Sequence, residues 1–172
     1  MINEKRFDSC GVCGSNVKDI LNFKDFPFAG KFTKEKCEQP EFIADLSLGM
    51  CAKCNHMQVT TIANPEFLYT KGYTYRTSKS FLADSNQKVF LEFINGIYDK
   101  ESPVVLDIGC NDLSLLNVAK DYAGYRIGVD PIQKDHVDSQ NKIEVHRKFI
   151  EDVDWNVFQE KPDLIVSRHN IE

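Results

Sequence analysis

Two Cys-x-x-Cys pairs, Cys10-Gly11-Val12-Cys13 and Cys51-Ala52-Lys53-Cys54, constrain this chain more than any other feature. In each pair the sulfurs can turn inward around one tight loop. Each loop is followed by a residue, Gly14 or Asn55, that tolerates a left-handed backbone. Four thiolates satisfy a tetrahedral zinc ion and leave no open position, which makes such a site structural. Incidental buried thiols or a pair of disulfides are the competing readings, and the gap between Cys13 and Cys51 exceeds ordinary ribbon spacing. The N-terminus, Met1 to Asp8, lacks the apolar core of a signal peptide, so a cytoplasmic setting is expected, where thiols outlast disulfides. Neither pair sits in a βαβ pattern, which argues against a redox role. Cys37 falls in the charged stretch Lys34 to Glu38 and reads as a spare thiol, and His56 as a strand residue beside a ligand shell already full.

Around these pairs, residues 1–62 read as a small, mostly β zinc module. Val17 to Phe23 is expected as a strand, and Phe26 to Gly30 as a turn. Glu41 to Met50 alternates, with Phe42, Ala44, Leu46, Leu48 and Met50 on one face, and should deliver Cys51. His56 to Thr60 would return. A module of this size has little core without its metal.

Residues 63–101 read as linking helices around a tyrosine-rich loop. Asn64 caps a short helix that begins at Pro65 and ends near Gly72. Tyr73-Thr74-Tyr75-Arg76-Thr77-Ser78-Lys79-Ser80 is unusually rich in phenols and hydroxyls, and as a plain loop it would cap the next helix through Ser78 or Ser80. That helix, Phe81 to Tyr98, carries apolar residues at 82, 89, 90, 93, 94 and 97, a face expected to pack on the sheet beyond it.

From 102 to 172 strands and helices alternate. Val104–Ile108, Arg126–Val129, Lys142–Val145 and Leu164–Val166 read as strands, and Ser114–Tyr122 and Val153–Phe158 as helical segments. The pattern predicts an α/β Rossmann-like parallel sheet, doubly wound, with helices on both faces and cut short after its fourth strand. That fourth strand would be an exposed edge prone to association with itself or a partner. Asp107 closes the first strand and Asp130 the second, where a nucleotide-binding sheet places an acid against ribose hydroxyls. Gly109 permits close backbone approach, and the helix start beyond it can receive an anion. A dinucleotide site, an S-adenosylmethionine (SAM) site and a sheet that binds nothing all remain open, although Gly-Cys-Asn-Asp-Leu is not the Gly-x-Gly-x-x-Gly of a dinucleotide turn. Net charge is −5 with mixed signs and no apolar run reaches transmembrane length, so neither nucleic acid nor membrane is expected as a partner.

With these residues in place, the sequence resembles the SAM-dependent sugar C-methyltransferases. The likeness runs through both cysteine pairs with Gln58, Asn64-Pro65-Glu66, Tyr73-x-Tyr75-x-Thr77-Ser78-x-Ser80, Asp107-x-Gly109-x-Asn111-Asp112 with Ser114-Leu115-Leu116, Gly128-Val129-Asp130-Pro131, and Asp163 to His169. It implies a zinc-binding module before a class I methyltransferase core, and methyl transfer from SAM to a carbon of a nucleotide-linked keto-sugar. By motif position Tyr75, then Tyr73, inherits the active-site tyrosine, while Asp107, Gly109, Asn111, Asp112, Asp130 and Arg168 inherit cofactor contacts. Two departures stand out: Leu113 replaces the glycine that usually ends the turn, and Cys110 replaces a common serine. Family members continue past the fourth strand, so the chain reads as the N-terminal portion of such an enzyme and inactive alone. The alternative is a zinc-containing binding or assembly module without catalysis.

Overall fold

Residues 4–28, 35, 43–69 and 73–170 are described by the computed structural model, and they fall into two units, Met1–Thr74 and Tyr75–Glu172. Cys37, Phe42 and Gly72 lie outside the described residues.

The first unit contains β1 (Glu4–Arg6), β2 (Val17–Pro27), β3 (Ile43–Cys51), β4 (Met57–Val59), β5 (Thr61–Ala63) and α1 (Pro65–Leu68). β2, β3 and β4 make an antiparallel sheet in that order, and β1 pairs antiparallel with β5. Thr60, fully buried, joins the two sheets. Its N–H donates to Ser47 and its carbonyl accepts from Phe7, while its hydroxyl donates to Asp19 at 2.7 Å, and Arg6 holds the other oxygen of that carboxylate at 2.9 Å. Asn64 caps α1 by accepting from the Glu66 N–H, as its position before Pro65 implies.

β3 departs from its expected face. Of the alternating Ala44, Leu46, Leu48 and Met50, only Ala44 is buried as expected; nearer the metal the buried positions are Ser47, Gly49 and Cys51 itself. Successive side chains on a strand point to opposite sides, so Cys51 on the inner face commits Gly49 and Ser47 to that face too. Leu46 and Leu48 are left half-buried and Met50 exposed, opposite Phe23, Leu21 and Met57 on neighbouring strands. Register shifts in β2 between Asp19 and Leu21, and again between Phe23 and Phe26, break the parity that simple alternation assumes. Among the described residues, everything buried in this unit is small: Cys10, Ala44, Ser47, Gly49, Cys51, Thr60, Thr61 and Ala63.

The second unit runs through α2 (Ala83–Ile97), β6 (Val104–Ile108), α3 (Ser114–Val118), β7 (Tyr125–Val129), β8 (His136–Asp138), β9 (Ile143–His146) and β10 (Leu164–Ser167). Its five-stranded sheet has the order β10-β6-β7-β9-β8. Four strands are parallel, within about a residue of the expected spans, but β8 runs antiparallel to β9, so the sheet is mixed rather than all parallel. The turn joining β8 to β9 explains the extra strand: both oxygens of Asp138 accept from Asn141, and Lys142 adopts a left-handed φ of 52°.

One sheet face, with Val105 and Val166, packs under Leu91 and Ile94 of α2 and Leu115 of α3. The other, with Leu106, Ile127 and Val129, is covered by Ile150, Val153 and Phe158. That cover consists of two 3-10 turns, Ile150–Asp152 and Trp155–Val157, in place of the helix expected over Val153–Phe158. Asp154 accepts from the Asn156 N–H and gives the backbone a local alternative to a helix. α3 likewise ends at Val118 and tightens into a 3-10 turn, short of Tyr122.

The inward face of α2 also differs from expectation. Ile94 is buried and Phe90 packs against the core as expected, but the rest of the buried face is Ala83, Gln87 and Leu91, while Leu82, Val89, Phe93 and Ile97 of the anticipated stripe are exposed. No serine caps the helix: the Ser80 carbonyl accepts from the Ala83 N–H, and the Ser78 N–H is spent elsewhere. Among the described residues no helix is long and apolar enough to cross a membrane.

Candidate functional site

Each unit carries one candidate site. In the first, the two cysteine loops share one backbone pattern. The Cys10 N–H donates to the Ser15 carbonyl and the Gly14 N–H to the Cys10 carbonyl; likewise Cys51 donates to His56 and Asn55 to Cys51. Gly14 (φ 69°) and Asn55 (φ 58°) take the left-handed conformation that closes each loop. His56 contributes its carbonyl to this pattern, and β4 starts one residue later than expected, at Met57.

The four sulfurs lie within 4.8 Å of one another. Cys10 and Cys54 are 3.6 Å apart and Cys13 and Cys51 3.5 Å, close to the roughly 3.8 Å edge of a tetrahedron with metal–sulfur bonds of about 2.3 Å. Disulfide sulfurs would stand at about 2.05 Å, and these cysteines are free. The donor set therefore fits zinc, with all four positions filled by protein. Cys13 is drawn down to about 6, first by the backbone N–H of Ser15. Cys54 is pushed up to about 12; the His56 N–H pulls it down, but the Cys13 sulfur, burial and the other thiols outweigh that pull. Crowded sulfurs cannot all ionise without a cation among them.

In the second unit the candidate residues gather where β6, β7 and β10 end. Beyond β6 the chain turns through Gly109 (φ 73°), Asn111 (φ 49°) and Leu113 (φ 65°), three left-handed residues in five. Leu113 thus occupies a conformation that suits glycine, and its side chain is retained by packing beside Cys110, Leu116, Ile143 and Val145. Asp130 is buried at the end of β7. One of its oxygens accepts from the Asn111 N–H at 2.8 Å and the other from Ile132 at 2.9 Å, so it ties the loop after β6 to the loop after β7. Gln133 adds a bond to the Asn111 carbonyl.

Asp112 faces the tyrosine-rich segment. It accepts from the Ser78 N–H at 2.8 Å and from the Ser114 hydroxyl at 2.5 Å. Burial raises this carboxyl, but the Ser114 and Ser78 bonds prevail and hold it below the usual range. The Asn111 amide donates to the Tyr75 carbonyl at 3.3 Å, so Tyr75, with an exposed side chain, is held beside the turn. Tyr73 belongs to the first unit, where its ring leans on Tyr69 at 5.3 Å.

Asp107, 4 % exposed, is pushed up to about 7, chiefly by burial, with Arg168 pulling down and Asp130 pushing up. The Arg168 guanidinium lies over the Phe90 ring at 4.8 Å. Three buried polar atoms at these strand ends, Asn111 Oδ1, Ser167 Oγ and Arg168 Nε, have no protein partner. Sequence reasoning missed Gln133 and Asn170, which stand in no recognisable motif; Ser167 lay within the Asp163 to His169 stretch and Phe90 on the expected apolar face of α2, but neither was singled out as a site residue. Asn170 covers Gly109: a Cβ there would lie 2.1 Å from the Asn170 amide nitrogen, which donates to the Ile108 and Arg168 carbonyls. Gly109→Ala is accordingly expected to destabilise the second unit by about 1–2 kcal/mol, most of it from the left-handed φ. Because Asn170 can swing aside, Asn170→Ala should recover only a minor part in a double-mutant cycle read by urea denaturation.

Residues 10–69 match a family model, Methyltransf_13, whose description is "Putative zinc binding domain". The match takes in all four cysteines and lies within the first unit. It is consistent with a methyltransferase-associated zinc-binding module. No curated protein matches the chain.

Proposed function

We propose that this zinc-bearing chain belongs to a SAM-dependent methyltransferase that acts on a carbon of a nucleotide-linked keto-sugar. The observation that carries the reading is the set of partnerless buried atoms, Asn111 Oδ1, Ser167 Oγ and Arg168 Nε, at the C-terminal ends of β6 and β10. Within the strand order β9-β7-β6-β10, β6 and β10 flank the point where the chain reverses direction across the sheet. In a Rossmann-like sheet, ligands enter there. Unpaired polar groups in a buried position cost about 1–3 kcal/mol each, so a ligand that engages them gains what the free protein forgoes. Asp130 at the end of β7 stands where a ribose would be bound, and each of its oxygens keeps a lone pair beyond the backbone bond it accepts.

The methyltransferase-associated zinc domain supports the reaction class, and the tyrosine-rich segment beside Asp112 supports the sugar. When bound, SAM supplies an electrophilic methyl group. This chain's part is to seat the adenosine against Asp130, to exclude water, and to present the Tyr75 hydroxyl to an enolate oxygen, a hydrogen bond that strengthens as charge develops. Zinc in a closed four-thiolate shell takes no part in the chemistry. Nucleic acid and membrane are not partners in this reading, and the outer edge of β10, unpaired among the described residues, is where a second copy or another protein would associate.

A non-catalytic binding module is the second reading, favoured by one observation: Asn170 already fills the space over Gly109. Isothermal titration with SAM separates the two. The enzyme reading expects saturable heat at one ligand per chain and at least tenfold weaker binding in Asp130→Asn, which removes the charge from the ribose acceptor. A flat titration at millimolar SAM would sink it.

A further inference from the structure

We propose that Gln58 is a positioning residue for the metal centre: its side-chain amide braces the first cysteine loop against the second and raises zinc affinity without touching the metal. The inference rests on the reading of the four thiols as a zinc site.

The two loops repeat one another in backbone bonds and in their left-handed closing residue, but they differ in the strand each one feeds. Four residues beyond Cys13 stands Val17, an apolar strand residue; four residues beyond Cys54 stands Gln58. Its Oε1 accepts from the Gly11 N–H at 2.9 Å, and its Nε2 donates to the Ser9 carbonyl at 3.1 Å. Ser9 and Gly11 flank Cys10, so one amide grips the backbone on both sides of a metal ligand.

Two backbone ties already join the strands around the loops, and Gln58 supplies the side-chain tie that lies against the ligand loop itself. Beyond it, among the described residues, the chain entering the first loop meets the chain leaving the second only at Phe7–Thr60 and along β1–β5, at least three residues from Cys10. Val17, leaving the first loop, pairs with Cys51, entering the second, in the β2–β3 ladder. Gln58 sits opposite Gly49 in the β3–β4 ladder, so its backbone is fixed to the second loop's sheet. Its side chain runs from the chain leaving the second loop to the chain entering the first. Without it the stretch from Asp8 to Cys13 loses its side-chain anchor between Phe7–Thr60 and Val17–Cys51, and Cys10 Sγ gains freedom relative to Cys54 Sγ, 3.6 Å away. Groups that orient metal ligands in this indirect way typically change affinity by about 10–100-fold when removed.

Gln58→Met keeps the length and removes both bonds. Competition against a chromophoric zinc chelator should show affinity about tenfold below wild type. Alkylation of the zinc-loaded protein, read by peptide mass spectrometry, should accelerate over wild type at Cys10 and Cys13 and not at Cys51 or at Cys54, which is exposed already. A residue that merely supported the whole unit would expose all four alike. Gln58→Glu keeps the acceptor for Gly11 and loses the donor to Ser9, and it should lie between wild type and Gln58→Met; it carries the test if the Met variant fails to fold. Wild-type affinity in either variant, or acceleration at all four cysteines alike, overturns the proposal. A wild-type chain that takes up no zinc would instead overturn the metal reading on which it rests.

Discussion

Cys51→Ser is expected to leave the first unit unable to hold zinc and largely unfolded, while the second unit stays folded. Cys51 is fully buried at the end of β3, with its sulfur 3.5 Å from that of Cys13. The size of the effect comes from what the unit lacks. Its buried described residues are cysteine, alanine, serine, glycine and threonine, with no large aliphatic side chain among them. The second unit fully buries Leu106, Leu115, Leu116 and Ile127, each contributing about 2 kcal/mol. A structural zinc supplies an apparent free energy of roughly 10–16 kcal/mol, as much as the whole stability of an ordinary domain, so here the metal stands in for the core. A serine hydroxyl is a poor zinc ligand at neutral pH. The two units can be followed separately, because the chain's one tryptophan, Trp155, lies in the second. Circular dichroism should lose β signal on mutation or on chelation of the wild type, with Trp155 emission unchanged. A Cys51→Ser protein that kept one zinc per chain and its β signal would refute the account.

Asp107 should make the second unit less stable as pH rises from about 4 to about 7. Its folded pKa, pushed up to about 7 by burial, exceeds the unfolded value of 3.8, so within that window the folded state binds the extra proton. Stability is then greatest on the acid side of the window and is lost as the carboxyl ionises inside the fold. A shift of this size corresponds to roughly 4 kcal/mol, approached above pH 7. Asp107→Asn, neutral at every pH, should flatten that component and stabilise the unit at pH 8 by about 2–4 kcal/mol, with little change at pH 4. Urea midpoints followed by Trp155 emission measure both curves. Only their difference is needed, because the other titrating groups are common to the two proteins. Parallel curves would show that Asp107 is not held as the structure implies.

What the sequence made legible was local chemistry. Cys-x-x-Cys followed by Gly14 or Asn55 specified both loops, because the closing φ and the sulfur spacing are set within six residues. Asn64-Pro65 specified a helix start, and the apolar runs into Asp107 and Asp130 specified β6 and β7. Several misses were matters of which side faces inward. α2 carries two apolar stripes, and nothing local reveals that the one with Ala83 and Gln87 is buried while Val89, Phe93 and Ile97 face out; the sheet decides. β8 escaped notice because three residues are too few for a pattern. In the strand-end site, Asp130 and Asp112 were visible as acids, but their bonds to Asn111 and Ser78 join segments far apart in sequence. Tyr73 and Tyr75 look equivalent in the motif and fall in different units.

The burial of Ser47, Gly49 and Cys51 on one side of β3 makes that strand a counting device. Between the register shift in β2 and the metal, what matters is an even step, together with Gly49, where a Cβ would run into the side chains of Val17 and Thr60. Losing a single residue there would turn the Cys51 sulfur to the opposite side while leaving every ligand present in the sequence. For this unit, tolerance of substitution and tolerance of length change are therefore separate properties. A chain related by substitutions that spare Gly49 and the four cysteines could drift far in composition and keep its zinc, whereas a one-residue deletion would empty the site at a stroke.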